Sequence, residues 1–398
     1  MKISKLMLAL AAVGAIGATK AEEQHPLLVA GSSTTLSGYI DTSAIYQIGN
    51  DAWPTGAGGS FRAFDGPDKW DGFNLNVVKL SLEKPLDEGQ WSAGYKVDLL
   101  FGPDANYYGS LLNGGGASDF GVGDDFAIKQ AYVVARVPAG NGIDVKMGVF
   151  DTIIGYEVFE SLNNPNYSRS YGFGLEPTHH TGVLASYHVS DAVSLSAGIA
   201  NTYSGPINNR LTAGGLTENE ELTYLGSITL TLPEGAGPLA GSAIYAGVVD
   251  GIAGAGTHVP GVAQTQDTTS YYAGTTLATP WEALNLGAAF DYQEDGFAAD
   301  SWAWAAAGYA SFGVSEALKL NARGEYAKGG AGSFGLMNLS GRENELLGVT
   351  VTADYALWTG LLTRLEGRWD RSLNGSRYGT VQTDRNLLTV ALNMVYKF

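Results

Sequence analysis

The sequence predicts an all-β fold: a transmembrane antiparallel up-and-down β-barrel of about 16 strands, with short periplasmic turns and long external loops. Three observations support this fold class. Segments of about ten residues alternate apolar and polar positions, the connections between them alternate between short and long, and the chain ends in one of these segments. Only 16% of the 398 residues are charged, whereas soluble domains have roughly a quarter.

The composition excludes several other classes of protein. The 8 Trp, 21 Tyr and 14 Phe are too many for a disordered chain. Because the sequence has no Cys, it can form neither a disulfide nor a thiolate metal site. A net charge of −17 argues against nucleic-acid binding, since phosphates are neutralised by basic surfaces.

The first residues have the features of an export signal. Lys2 and Lys5 precede an apolar run at 6–16, and the small residue Ala21 suits a cleavage site. The run is too short for a spanning helix, which needs roughly 20 apolar residues. We therefore predict a signal peptide at 1–21, a periplasmic leader at 22–34 and a transmembrane β-barrel at 35–398.

The strands are predicted from sixteen alternating segments, a count that is good to about two. The segments begin near Leu36, Phe73, Trp91, Ala127, Ile143, Gly182, Val193, Leu222, Leu239, Thr269, Leu284, Ser301, Leu318, Leu346, Leu361 and Leu387. In the clearest ones an apolar row faces away from a charged row, which favours a wet lumen over the dry core of a β-sandwich. Two segments fit poorly, because 127–137 places Lys129 on its apolar face and 73–84 changes phase near Val77.

The connections and the chain end agree with this count. Connections after even-numbered segments are short and those after odd-numbered segments are mostly long, as in an even-stranded barrel with both termini in the periplasm. The last segment alternates outward up to the terminal Phe. It resembles the signal by which barrel-assembly machinery recognises its substrates, and its outward residues are Val390, Leu392, Met394, Tyr396 and Phe398.

The stretch 129–187 resembles the OmpL-like β-barrel porin family of Gram-negative bacteria. The resemblance rests on the runs 146–151 (KMGVFD), 155–157 (GYE) and 168–171 (SRSY), and on 180–183 (HTGV). It implies a β-barrel, an outer-membrane location and a channel, and it brings no catalytic motif with it.

The segment 151–181 is the third external connection, the one that folds into the barrel and narrows the pore in general porins. The pore-constriction candidates within it are Asp151, Glu157, Glu160, Arg169, Glu176, His179 and His180. The candidates on the lumen wall are Lys96, Asp98, Asp144, Lys146, Lys319, Arg323, Glu325, Arg364, Glu366, Arg368 and Asp370. A guanidinium facing carboxylates across an opening would filter solutes by charge and size. The alternative is that these residues order the loop through hydrogen bonds and ion pairs.

An enzyme is the competing class. Ser168, Ser170, His179 and His180 lie close in sequence, but no G-x-S-x-G or H-E-x-x-H motif surrounds them. We predict no catalytic site, no cofactor and no metal.

The function we expect is passive diffusion of small hydrophilic solutes through a water-filled pore. One alternative is a solute-selective channel, and another is a plugged structural or adhesive barrel. The preference for cations or anions stays open, because acidic loops favour cations and wall arginines favour anions. Expected partners are outer-membrane lipids and lipopolysaccharide, barrel-assembly machinery and small hydrophilic solutes, with no nucleic acid and, by porin precedent, a homotrimer.

Overall fold

The computed structural model describes residues 27–28, 33–48, 62–65, 69, 71–110, 125–210, 222–253, 266–295, 301–335, 343–375, 378 and 384–398. The predicted signal peptide and most of the predicted leader lie outside the described residues.

The described residues form a closed barrel of sixteen antiparallel strands, which confirms the predicted fold class. In chain order these are β1 (Thr35–Ile48), β2 (Gly72–Lys84), β3 (Ser92–Phe101), β4 (Phe126–Val137), β5 (Ile143–Asp151), β6 (His179–Ser190), β7 (Val193–Ala200), β8 (Thr223–Thr231), β9 (Ala243–Ala253), β10 (Gln266–Ala278), β11 (Leu284–Glu294), β12 (Trp302–Gly313), β13 (Leu318–Gly329), β14 (Asn344–Trp358), β15 (Leu361–Ser372) and β16 (Asn386–Lys397). Each strand pairs with its neighbours in sequence, and β16 pairs with β1 to close the ring. A two-residue strand, Leu27–Leu28, also pairs with β1.

Short helices occupy some connections. The α-helix α1 (Pro103–Tyr108) follows β3, and 3-10 helices cover Ser161–Asn163, Gly172–Leu175, Glu234–Leu239 and Ser333–Gly335. The 3-10 helix before β9 explains the largest difference from the predicted strand starts: the strand begins at Ala243 and not near Leu239. Among the described residues, no helix is both long and apolar enough to cross a membrane.

The alternation of side chains builds the two faces of the wall. On β13 the apolar Leu320 is exposed on the outer face, while Asn321 and Arg323 are buried inside. Outward aromatic residues such as Trp281 and Trp358 are more than two-thirds exposed, as expected where a barrel surface meets lipid.

Two β-bulges explain the two segments that fit poorly in the sequence. Between β1 and β2, Asp41 pairs with Val77 and Thr42 with Leu75, which leaves Asn76 as the extra residue. Between β3 and β4, Lys129 is the extra residue. A bulge shifts the alternation by one position and can redirect a side chain, and both extra residues are buried inside the barrel.

The last residue takes part in closing the ring. The backbone N–H of Phe398 donates to the carbonyl oxygen of Gly38 at 3.0 Å, and the Gly38 N–H donates back at 2.9 Å. The Phe398 ring lies against Gly38, where a Cβ would come within 2.6 Å of the ring. Gly38 therefore makes room for the terminal aromatic ring.

Candidate constriction site

The long connection between β5 and β6 lies inside the barrel, and residues 152–178 are called the inner loop below. Within the inner loop only Asn163 and Gly174 are exposed. The wall and other connections therefore enclose it on nearly all sides, and it does not run along one edge of a wide opening.

The first part of the inner loop packs on the wall of β9 to β12. Ile154 sits so close to Gly247 of β9 that a Cβ there would lie 2.7 Å from its Cγ2 atom. The Tyr156 ring stacks on the Tyr309 ring of β12, with centroids 4.2 Å apart and an interplanar angle of 20°. These contacts belong to an apolar cluster inside the barrel.

The middle of the inner loop reaches the opposite wall, β1 to β4. The Glu160 carboxylate pairs with Lys79 of β2 and lies 3.4 Å from the Nζ of Lys129 on β4. The Ser161 hydroxyl hydrogen-bonds to Asp41 of β1. The inner loop therefore crosses the lumen from one side to the other.

Three wall arginines hold the backbone of the inner loop. Arg323 of β13 donates to the carbonyl oxygens of Ser168 at 2.7 Å and Arg169 at 3.1 Å. Arg368 of β15 donates to the same Arg169 oxygen at 2.5 Å. Arg364 donates to carbonyl oxygens within 161–164, the shortest at 2.6 Å. All three side chains are at most 2% exposed.

Carboxylates complete this arrangement. Glu366 of β15 accepts the backbone N–H groups of Tyr167 at 2.6 Å and Ser168 at 3.1 Å, and Glu325 of β13 accepts that of Tyr171 at 2.6 Å. Carboxylates also compensate the charges of the arginines. Glu157 and Glu325 pair with Arg323 at 2.7 and 3.0 Å, and Asp370 pairs with Arg368 at 2.9 Å.

The contacts thus favour one of the two roles that the sequence left open for the wall charges. The guanidinium groups of Arg323, Arg364 and Arg368 face the loop backbone and carboxylates, and their burial keeps them from water. Buried charges need such pairing, because an uncompensated charge in the interior is strongly destabilising. Their geometry orders the inner loop.

Arg169 folds back onto its own loop. Its guanidinium donates to the carbonyl oxygens of Tyr167 at 2.6 Å, Val158 at 3.1 Å and Phe159. It also lies over the ring of Phe64, 5.2 Å from the centroid. Among the described residues it forms no ion pair, so the predicted opposition of Arg169 to acids across an opening does not match its contacts.

The end of the inner loop carries a pair of acids. The carboxyl groups of Glu176 and Asp291 of β11 hydrogen-bond to each other. They lie against the two glycines Gly155 and Gly172, where a Cβ would meet their oxygen atoms. Burial, followed by the charges of Asp291 and Glu157, raises the pKa of Glu176 well above its usual range. Two carboxyl groups can hydrogen-bond only if one holds a proton, so the pair shares one.

The two histidines lie where the inner loop joins β6. His179 Nδ1 is 2.9 Å from the Thr178 hydroxyl, and its ring stacks on Tyr108 of α1. His180 Nε2 is 3.1 Å from the Thr152 hydroxyl, at the other end of the loop. Both imidazoles are buried. The described residues contain no group of three or more side chains arranged to hold a metal ion.

The other wall candidates lie on the periplasmic side or against the loop. Asp98 is buried and pairs with Lys79 at 2.9 Å. Lys96 pairs with Glu83 at 3.2 Å, and Asp144 binds Arg136 through two hydrogen bonds of 2.7 and 2.8 Å. Lys146 Nζ lies 4.9 Å from the Tyr132 ring centroid, and Lys319 is half-buried on β13.

Several residues that hold the inner loop were not predicted. They are Asp41, Asn76, Lys79, Lys129, Asp291 and Thr352. The phase breaks at Val77 and Lys129 were the available signal, since each marks a bulge that redirects a polar side chain inward.

Residues 33–398 match the family described as "Putative beta-barrel porin-2, OmpL-like". The chain belongs to this porin family. The family assignment places the chain in the bacterial outer membrane as a β-barrel porin and not as an enzyme. Among curated proteins, none matches the sequence.

Solved structures with the same fold are distant in sequence. The outer membrane channel DcaP of Acinetobacter baumannii is 14% identical, with 92% of this chain and 97% of that chain covered and a TM-score of 0.59. The anion-selective porin from Comamonas acidovorans is 12% identical, with 92% and 99% covered and a TM-score of 0.56. The trimer form of OmpT from Vibrio cholerae is 12% identical, with 92% and 99% covered and a TM-score of 0.53. At these identities the likeness concerns the fold.

Proposed function

We propose that small hydrophilic solutes and ions cross this porin along a water-filled path that the inner loop narrows. The observation that carries the proposal is the position of the inner loop across the lumen, fixed to β1, β2, β4 and β13 to β15 by hydrogen bonds and ion pairs. Wall side chains alone leave an aqueous channel in a sixteen-stranded barrel. A segment fixed inside it therefore sets the width.

Four of the seven predicted constriction residues divide into two groups in this proposal. Glu157, Glu160 and Arg169 are buried and position the loop. Asp151 is the accessible acid at its entrance, since its side chain is 38% exposed while its partner Lys129 is buried. Asp151 is therefore the candidate from this set that solutes would meet.

The second candidate function is a barrel without transport. It is favoured by the near-complete enclosure of the inner loop, which packs on apolar clusters on both sides of the lumen. The two functions differ in whether water and solutes pass the loop, and electrical recording decides between them.

We predict that the purified mature porin inserted in a planar bilayer gives discrete current steps that are small for a sixteen-stranded barrel, because the inner loop crosses the lumen from wall to wall. The reversal potential in a salt gradient would give the charge preference. Heat-modifiable migration on a gel shows that the protein is folded. Silence from folded protein would favour the barrel without transport.

The proposed partners follow from the outer face and from the fold. Lipids and lipopolysaccharide would surround the exposed apolar belt, and a homotrimer is proposed because OmpT of Vibrio cholerae has a trimer form. Barrel-assembly machinery is the proposed partner of the terminal strand, whose outward residues Leu392, Met394, Tyr396 and Phe398 are exposed.

We predict that deletion of Phe398 sharply lowers the folded fraction recovered from outer membranes, because it removes two closing hydrogen bonds and the ring on Gly38. The Phe398→Tyr variant keeps both and should assemble at nearly the normal level. Heat-modifiable migration measures the folded fraction. Recovery of the deletion variant at the wild-type level would rule out this role for Phe398.

A further inference from the structure

The contacts of the inner loop differ in chemistry around the barrel. Hydrogen bonds or ion pairs join it to β1, β2, β4, β10, β11 and β13 to β15. Across the described residues, none joins it to β7, β8 or β9 themselves, although the segment after β7 is joined to the end of the loop through Tyr203 with Leu175 and Ser204 with Thr178. At those strands the loop touches the wall through apolar side chains alone.

This boundary is called the apolar seam below. On the loop side it consists of Ile153 and Ile154, and on the wall side of Leu225 of β8 and Val249 of β9, flanked by Leu184 of β6. Van der Waals contacts can part without leaving a buried charge or an unpaired hydrogen-bonding group. The seam can therefore open without leaving such a group unpaired.

The wall next to the seam carries no formal charge. On β6 to β10 the described inward side chains include no Asp, Glu, Lys or Arg, whereas β2 to β5 and β13 to β15 are rich in them. On its periplasmic side the seam leads to hydroxyl groups on three adjacent strands. Ser186 pairs in register with Ser196, and Ser196 with Ser227, and the first two hydroxyls lie 2.9 Å apart. All three side chains are partly accessible.

We infer that solutes pass at the apolar seam and then along this uncharged hydroxyl wall, so that the porin favours uncharged hydroxylated solutes over ions of similar size. This rests on the proposed function of an open path at the inner loop. An ion entering an apolar constriction loses hydration without gaining a partner, whereas an uncharged polyol loses less and exchanges hydrogen bonds with serine hydroxyls. Ile154, Leu184 and Leu225 are thus the specificity-determining residues.

The first test compares permeation in proteoliposomes. Swelling with glucose should be at least about threefold faster than swelling with gluconate, which is of similar size but charged. Equal rates, or faster swelling with gluconate, would overturn the inference and leave the proposed function standing. No permeation by either solute, together with electrical silence, would overturn the proposed function itself.

The second test locates the path. The Leu225→Ser variant should raise single-channel conductance about twofold or more, since a hydroxyl lets water enter the seam. The matched control is Leu100→Ser, which changes a buried leucine inside the barrel on β3, away from the seam. An unchanged conductance for Leu225→Ser, or an equal rise for Leu100→Ser, would overturn the location.

A third measurement serves if the serine variants fold poorly. The chain has no Cys, so Ser227→Cys introduces the sole thiol. A bulky methanethiosulfonate reagent should then lower glucose flux by about half or more. The control Thr350→Cys changes a fully buried residue beside Arg323 and should be insensitive. No effect at Ser227→Cys after complete labelling would exclude the hydroxyl wall as the path.

Discussion

Replacing Arg323 and Arg368 together by methionine should release the inner loop and raise single-channel conductance several-fold. Both guanidinium groups donate to the Arg169 carbonyl oxygen, and both compensate buried carboxylates. Removing one partner of a buried ion pair typically costs about 3–5 kcal/mol. The substitutions leave the backbone hydrogen bonds between the sixteen strands unchanged. The lost free energy should therefore destabilise docking of the inner loop and not the barrel.

A variant on the same strand provides the control. Arg371 of β15 lies three residues from Arg368 and donates to Asn386 at the outer face. Arg371→Met should therefore leave the conductance unchanged. Heat-modifiable migration of all variants shows whether the barrel itself is folded. Wild-type conductance from a folded Arg323→Met/Arg368→Met protein would mean that the arginines do not hold the loop in place.

A compensating change separates loop release from general damage. If Arg323→Met acts by leaving Glu157 buried without its partner, the double variant Arg323→Met/Glu157→Gln should recover much of the wild-type behaviour. Replacing both members of a buried ion pair often changes stability little, whereas removing one member lowers stability strongly. A double variant as leaky as the single one would mean that Arg323 holds the loop through its hydrogen bonds to the Ser168 and Arg169 carbonyl oxygens and not by compensating Glu157.

The sequence predicts the wall of this porin better than its interior. Alternation with a period of two depends on each strand alone, and it places the starts of β11 and β13 at Leu284 and Leu318, where the structure has them. A bulge breaks that period without any local signature in composition. The inward position of Lys129 could therefore be suspected from its charge on an apolar face but not assigned.

The sequence predicted which residues form the inner loop, but it did not predict which wall residues the loop contacts inside the barrel. Its charged residues suggested a role for Arg169 facing acids, yet Arg169 binds carbonyl oxygens of its own loop. The partners that hold the loop are distant in sequence, such as Asp41 with Ser161 or Glu366 with Tyr167. Composition and spacing carry no information about which strand a loop residue meets, and so the apolar seam also could not be foreseen.

The conductance should rise from acid to alkaline pH because of the carboxyl pair at the end of the inner loop. Burial and the neighbouring acids raise the pKa of Glu176 well above its usual range. Its raised pKa means that the docked loop binds the shared proton more tightly than the released loop does. The free energy that protonated Glu176 contributes to docking of the loop is present in full below the ordinary glutamate pKa of about 4.3. It is lost as the pH rises through the raised pKa of Glu176.

The other groups around the pair should not reverse this sign. Glu157 on the loop is held by Arg323, and the phenols of Tyr203 and Tyr272 face the pair from the wall side. Burial raises the pKa of the Tyr203 hydroxyl further above its usual range, so it stays neutral through the window. Above the raised pKa two carboxylates would therefore lie side by side with no cation between them, and they would repel the loop from β11.

The Glu176→Gln variant tests this origin of the pH dependence. The amide of Gln can still donate a hydrogen bond to Asp291, but it does not lose a proton in this pH range. The conductance of the variant should therefore vary little between pH 5 and pH 9. In the wild type, the population of the released loop relative to the docked loop should rise about tenfold per pH unit. This rise applies between the ordinary and the raised pKa of Glu176. Glu343→Gln, an exposed acid paired with Lys328, is the control and should keep the wild-type pH profile. A pH profile of Glu176→Gln that matches the wild type would assign the titration to another group and would leave the carboxyl pair with a packing role alone.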